Sequence, residues 1–235
     1  MNQNEDRVEG RPGSRKTRKI AAIAAGALVI GVGATYTLAA WNDAEWVWGG
    51  TANGSGDPGV GTSTFEVVQN TSSPFDNAAG NWANRESNPG GALQFTVNAL
   101  TLSPGDVTYA PVALRTVTDS LAADVTLQPA VAATGAPAPQ NDADLFAAIR
   151  VTVYTAAGAT PPSACTAGFT GTGWTQILVN QPLATVATSS QQLSANGGST
   201  QHYCFALTLP TSTPGIDALQ GKKISPAWRF EGVSS

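Results

Sequence analysis

Apolar residues follow two different rhythms along this chain. Residues 20–32 form a nearly unbroken run of Ile, Ala, Leu, Val and Gly behind a basic stretch, residues 11–19. Beyond Phe65 they come instead in short runs broken by Gly, Pro, Ser, Thr and Asn, the rhythm of strands and turns. Residues 65–68, 93–97, 107–112, 125–127, 149–154, 177–179, 186–188, 203–209 and 224–230 are the runs, and they predict roughly eight or nine short strands. Ser103-Pro104-Gly105-Asp106 predicts a turn before the third. In the run over 203–209, Tyr203, Phe205, Leu207 and Leu209 alternate with Cys204, Ala206 and Thr208, so both faces of that strand are expected to be partly buried. Pro226 requires an edge, a bulge or a late start for the last run. Residues 142–149 read as a short helix, with Asp142 and Asp144 at the positive end of its dipole. The stretches 132–140 and 156–172 read as loops. Together these signals predict an all-β antiparallel β-sandwich over residues 63–235, with long loops and at most one or two short helices.

The leading apolar run has the basic front, hydrophobic middle and small residues of a secretory signal. Thr37 and Ala39 fit the −3 and −1 positions, so residues 1–39 are expected to be removed and Ala40 to become the new N-terminus. The alternative is a retained membrane helix, because extending the run through 36–41 approaches the length needed to span a bilayer. No twin-arginine pair precedes the run and no cysteine follows it to carry lipid, so the general export route is expected. Membrane contact is then limited to the signal before cleavage.

Residues 40–62 are an extended segment followed by a Gly-rich tether. Trp46 and Trp48 would fall on one face of an extended chain, with Glu45 and Val47 on the other. Residues 49–61 are rich in Gly, Ser, Asp and Pro, which makes a flexible connection. The segment carrying Trp41, Trp46, Val47 and Trp48 is therefore free to pack on its own domain or on a neighbour, and is a candidate donor strand.

Composition sharpens this picture. Half of the 12 basic residues precede the apolar run, and from Ala40 onward 6 basic residues face 13 acidic ones, a net charge of −7. Such a surface repels phosphate backbones, which excludes nucleic acid as an expected partner. Cys165 and Cys204 are the only cysteines, and in an exported chain they are expected to form a disulfide. A metal or redox site is the alternative, but no Cys-x-x-Cys pair exists and only His202 lies near either cysteine in sequence.

The chemistry-bearing residues form no recognised set. One histidine rules out every scheme that needs two, and there is no zinc helix, nucleophile elbow or phosphate loop. No catalytic residue, metal site or cofactor is expected. Asp142 and Asp144 could alternatively hold calcium, although a twelve-residue ligand loop is missing. Trp82, Trp174 and Trp228 would serve either as a carbohydrate platform or as core and sheet-edge residues. Asn53-Gly54-Ser55 and Asn70-Thr71-Ser72 match the glycosylation acceptor pattern, which also arises by chance in Ser/Thr-rich chains.

Residues 31–43 resemble the signal and mature start of the TasA and camelysin family. The small residues before cleavage and the aromatic shortly after it carry the likeness, here Thr37, Ala39, Trp41, Asn42 and Asp43. Leu102-Ser103-Pro104-Gly105-Asp106, residues 146–154 and Leu219-Gln220-Gly221 resemble the family's turn, helix-to-strand step and closing turn. The resemblance implies a jelly-roll sandwich, cleavage by a SipW-type signal peptidase, and a secreted subunit of cell surface or extracellular matrix. It further implies self-association, with an N-terminal segment completing the sheet of the next subunit in a biofilm fibre. Camelysin-type relatives also imply a secreted metalloprotease, but the His pair for zinc is missing here. The family's Gly-x-Leu element is not evident, and Thr64-Phe65 comes later than the family's Thr-Phe. A carbohydrate- or surface-ligand-binding module is the remaining alternative, and the body is not expected to be an enzyme.

Overall fold

A computed structural model describes residues 62–96, 99–135 and 141–235, which belong to a compact unit, Thr62–Ser235. The signal segment, the cleavage residues Thr37, Ala39 and Ala40, and the donor-strand residues Trp41, Trp46, Val47 and Trp48 lie outside the described residues. In chain order the strands are β1 (Val67–Asn70), β2 (Val107–Thr116), β3 (Ala123–Leu127), β4 (Val131–Ala132) and β5 (Arg150–Ala157). They continue with β6 (Thr175–Pro182), β7 (Gln191–Leu193), β8 (Gln201–Thr208), β9 (Pro226–Ala227) and β10 (Phe230–Ser234). A single short α-helix among the described residues, α1 (Ala143–Ala148), lies between β4 and β5, and three 3-10 turns, Ala79–Asn81, Ala195–Gly197 and Ile216–Leu219, lie in loops. The fold is all-β, with three antiparallel sheets in the orders β1-β2-β8-β5-β6, β10-β3-β7 and β4-β9.

The alternation seen in the sequence explains why β8 sits at the centre. Tyr203, Phe205 and Leu207 face an apolar cluster that also takes Val112 and Leu114 from β2, Val151 and Val153 from β5, Val125 and Leu127 from β3, and Leu193 from β7. One cluster is thus built from the two larger sheets. His202, Cys204 and Ala206 point the other way and are buried as well, so β8 is covered on both faces. A strand flanked by two others and roofed on both sides exposes almost no surface, which is why even its polar residues Gln201 and His202 are buried.

Two expected strands are absent, for identifiable reasons. Residues 93–96 form none, because Thr96 meets β2 mainly through its side chain. The Thr96 N–H donates to the Tyr109 carbonyl at 2.9 Å, but the Tyr109 N–H donates at 3.2 Å to the Thr96 hydroxyl rather than to a carbonyl. A side chain that replaces the backbone acceptor interrupts the ladder among the described residues, with Val97 lying outside them. Residues 186–188 form none either, since a turn over Pro182 to Thr185 redirects the chain and leaves one bond, Ala187 N–H to the Leu127 carbonyl. The last run splits into β9 and β10, with pairing shifted by one residue between them.

Prolines stand where no ladder donor is required. Pro226 lies in the two-residue β9 of the small sheet. Pro111 lies inside β2, but its nitrogen faces the side where β1 has already ended, as the outward bonds of Tyr109 and the pairing of Arg115 with Val68 show. A missing N–H there costs no sheet bond.

Candidate functional site

The outer face of the five-stranded sheet gathers the residues with chemical potential. Cys165 and Cys204 are joined in a disulfide with the Cα atoms 5.5 Å apart, an ordinary separation for such a bond. The link ties the β5–β6 loop down onto β8. Phe169 of the same loop packs against Tyr154 at 4.9 Å, Trp174 at 5.6 Å and Tyr109 at 5.7 Å between ring centroids. Gly171 has a left-handed backbone, and a Cβ there would lie 2.8 Å from the Tyr154 ring, so glycine lets the loop close over that tyrosine. Burial, then the neighbouring Tyr154, pushes the Tyr109 hydroxyl above its ordinary range.

His202 sits on this face. Its Nε2 lies 2.9 Å from the Gly158 carbonyl, which makes that nitrogen the donor, and Phe75 meets the ring edge-on at 4.6 Å. Burial lowers its pKa below the usual 6.5, and the bond to Gly158 offsets only part of that. Phe75, Pro74, Pro111, Trp174, Cys165 and His202 line a pocket of about 250 Å³. Its wall is mostly apolar, and Asn70 beside it is committed to its own turn: the Asn70 amide donates to the Asp76 carbonyl at 2.8 Å and accepts from the Ser72 N–H at 2.9 Å. Asn70 is therefore a buried turn-former, not an accessible glycosylation acceptor. Asn53 lies outside the described residues.

The three body tryptophans do not form a row. Trp82 packs beneath the Arg115 guanidinium, 4.1 Å from the ring centre, and donates to the Asn77 carbonyl oxygen of its amide. Trp174 donates to the Ser163 hydroxyl at 3.1 Å, and Trp228 packs on Phe205 at 4.9 Å against the core. Trp82 also meets Phe75 edge-on at 6.3 Å, and Phe75 lines one pocket with Trp174, whereas Trp228 stands apart against the core.

Asp142 is likewise structural. One carboxylate oxygen accepts the Leu145 N–H at 3.0 Å and so caps α1, while the other is held by Lys222. That partnership with Lys222, followed by the Leu145 bond, keeps the Asp142 carboxyl below its ordinary range. Both Asp142 oxygens are thus taken, and no cluster of three metal-ligating side chains exists among the described residues.

Sequence reasoning placed Cys165 and Cys204 but missed Phe75 and Phe169, the two rings that complete the outer cover. The available signal was Cys204 itself, which alternates with core residues Tyr203 and Phe205 and so had to lie on a second covered face. Compared with known proteins, the chain matches no family model and no characterised protein.

Proposed function

We propose that this chain is an exported structural subunit of a cell surface or extracellular matrix. In this reading the signal peptide is removed before Ala40, the body is a jelly-roll-type sandwich, and residues 40–48 add as a strand to the sheet of a neighbouring copy. The observation that carries it is the buried Cys165–Cys204 disulfide on the central strand, because such bonds persist in oxidising compartments. Further support comes from the side chains that chemistry would need. His202 and Asp142 are both committed to holding the fold together. The resemblance of residues 31–43 to the TasA and camelysin family points the same way, with a SipW-type peptidase as the processing partner. A surface-ligand-binding module is the second reading, favoured by the pocket beside Phe75 and Trp174.

Expression of the full chain with its signal, followed by intact-mass analysis and electron microscopy of the exported product, tests the first reading. It expects a chain beginning at Ala40 that forms oligomers or fibres, and loss of those assemblies when residues 40–48 are deleted. A product that retains residues 20–38, or a deletion that leaves assemblies unchanged, overturns it.

A further inference from the structure

An antiparallel sheet leaves unpaired backbone groups at its edges, and stable proteins guard those edges. The edges of the two larger sheets are guarded unequally. Gln69 of β1 exchanges both backbone bonds with Ala83, at 3.0 and 2.9 Å, which caps that edge. β6 is irregular along its pairing with β5, carries Asn180 with a left-handed backbone, and ends in Pro182. β7 is only three residues long. β10 has none of these devices.

The direction of its free groups follows from its register. The Gln128 N–H donates to the Arg229 carbonyl and the Ser235 N–H to the Ala122 carbonyl, so Arg229 and Ser235 face β3. Alternation in an antiparallel pair then turns Glu231 and Val233 toward β3 as well, and turns the backbone groups of Phe230, Gly232 and Ser234 outward. Those three residues have no backbone partner on that side among the described residues. Beside the exposed Arg229–Glu231 ion pair, 3.4 Å apart, apolar side chains flank these groups. Val233 is 64% exposed, Phe65 is 41% exposed and approaches Gly232, and Leu121, 38% exposed, is bonded to Thr64 beside the end of β3.

We infer that the outer edge of β10 is the acceptor for the strand that a second copy donates from residues 40–48. The inference rests on the reading under Proposed function and adds to it the place of attachment. The donor's chemistry fits: Trp46 and Trp48 share one face of an extended chain, and the edge offers unpaired backbone groups flanked by Phe65, Leu121 and Val233. The tether fits as well, since residues 49–61 number 13. Such a tether reaches at most roughly 45 Å fully extended and averages roughly 20 Å as a flexible coil, enough to bridge adjacent subunits of this size.

The test uses the mature chain, residues 40–235, followed by sedimentation velocity over a concentration series and by amide hydrogen exchange. Gly232→Pro removes an outward donor without touching the β3 ladder, and Val233→Lys places a charge on the exposed flank. Both are expected to weaken assembly at least tenfold, while Val179→Lys on the β6 edge leaves it unchanged. In assembled wild type, the amides of Phe230, Gly232 and Ser234 are expected to gain protection that the free subunit lacks. If Val179→Lys weakens assembly and the β10 variants do not, or if those three amides stay unprotected in assemblies, the acceptor lies elsewhere and this inference fails while strand donation stands. If deletion of residues 40–48 leaves assembly intact, the donation reading itself fails. A monomer with protected β10 amides shows that the strand comes from the same chain, and likewise overturns the inference.

Discussion

The two faces of the five-stranded sheet are covered by different physics. On the inner face, Tyr203, Phe205, Val151 and Val153 pack against side chains from the second sheet, and each is at most 1% exposed. Burial of the apolar ones contributes roughly 1.5–3 kcal/mol apiece, without regard to redox state and with little regard to pH, while the unpartnered Tyr203 hydroxyl costs part of what its ring gains. On the outer face, loops rather than a sheet form the cover. They are held by one disulfide, a chain of aromatic edges and one buried imidazole. The inner face is therefore stable under any condition in which the chain is folded, whereas the outer cover depends on oxidation and on proton concentration.

Truncation at the centre of the inner face should break the molecule most severely. Phe205 is fully buried between Trp228 and Phe230, so Phe205→Ala leaves a cavity and is expected to cost about 3–5 kcal/mol, read from urea midpoints with the disulfide intact. The outer face gives the next effect. Cys165→Ser with Cys204→Ser opens a loop closed across 39 positions, an expected loss of about 2–4 kcal/mol. Because the core does not need the bond, far-ultraviolet circular dichroism should stay that of a β protein at low denaturant. Hydrogen exchange should rise in residues 158–174 before it rises in β3. If exchange rises equally on both faces, the separation drawn between them is wrong.

The sequence made the inner face easier to read than the outer one. Alternation identifies Tyr203, Phe205 and Leu207 as core-facing, and the same alternation sends Cys204 to the opposite face. What lies over Cys204 is set by loops, and loops follow positive-φ glycines and single side-chain bonds that carry no period. Gly171 under Tyr154 and Thr96 against Tyr109 are two such determinants, and the second erased a strand that the apolar run 93–97 predicts. Pairing order was not legible at all. Nothing local says that β8 inserts between β2 and β5, or that β10 is left with an open side. The candidate edge is visible only once the other edges of the two larger sheets have found their guards.

His202 offers the finest division between the faces. It is the chain's only histidine, and burial holds its pKa in the folded state below 6.5. The sign follows from that direction. Above pH 6.5 the imidazole is neutral folded or unfolded, and its contribution is complete. As pH falls below 6.5 the unfolded chain takes up a proton that the folded chain resists, so stability falls, by at most about 1.4 kcal/mol per pH unit, until the folded-state pKa is reached. Asp142 acts in a lower window, because its carboxyl is held below its ordinary value of 3.8 and its contribution is lost only under stronger acid. Unfolding measured between pH 7 and 5 therefore isolates the imidazole. His202→Gln keeps an N–H donor for the Gly158 carbonyl but does not titrate, so its stability should be flat across that range where wild type declines. A variant that declines as steeply as wild type would show that the acid sensitivity arises away from the outer cover.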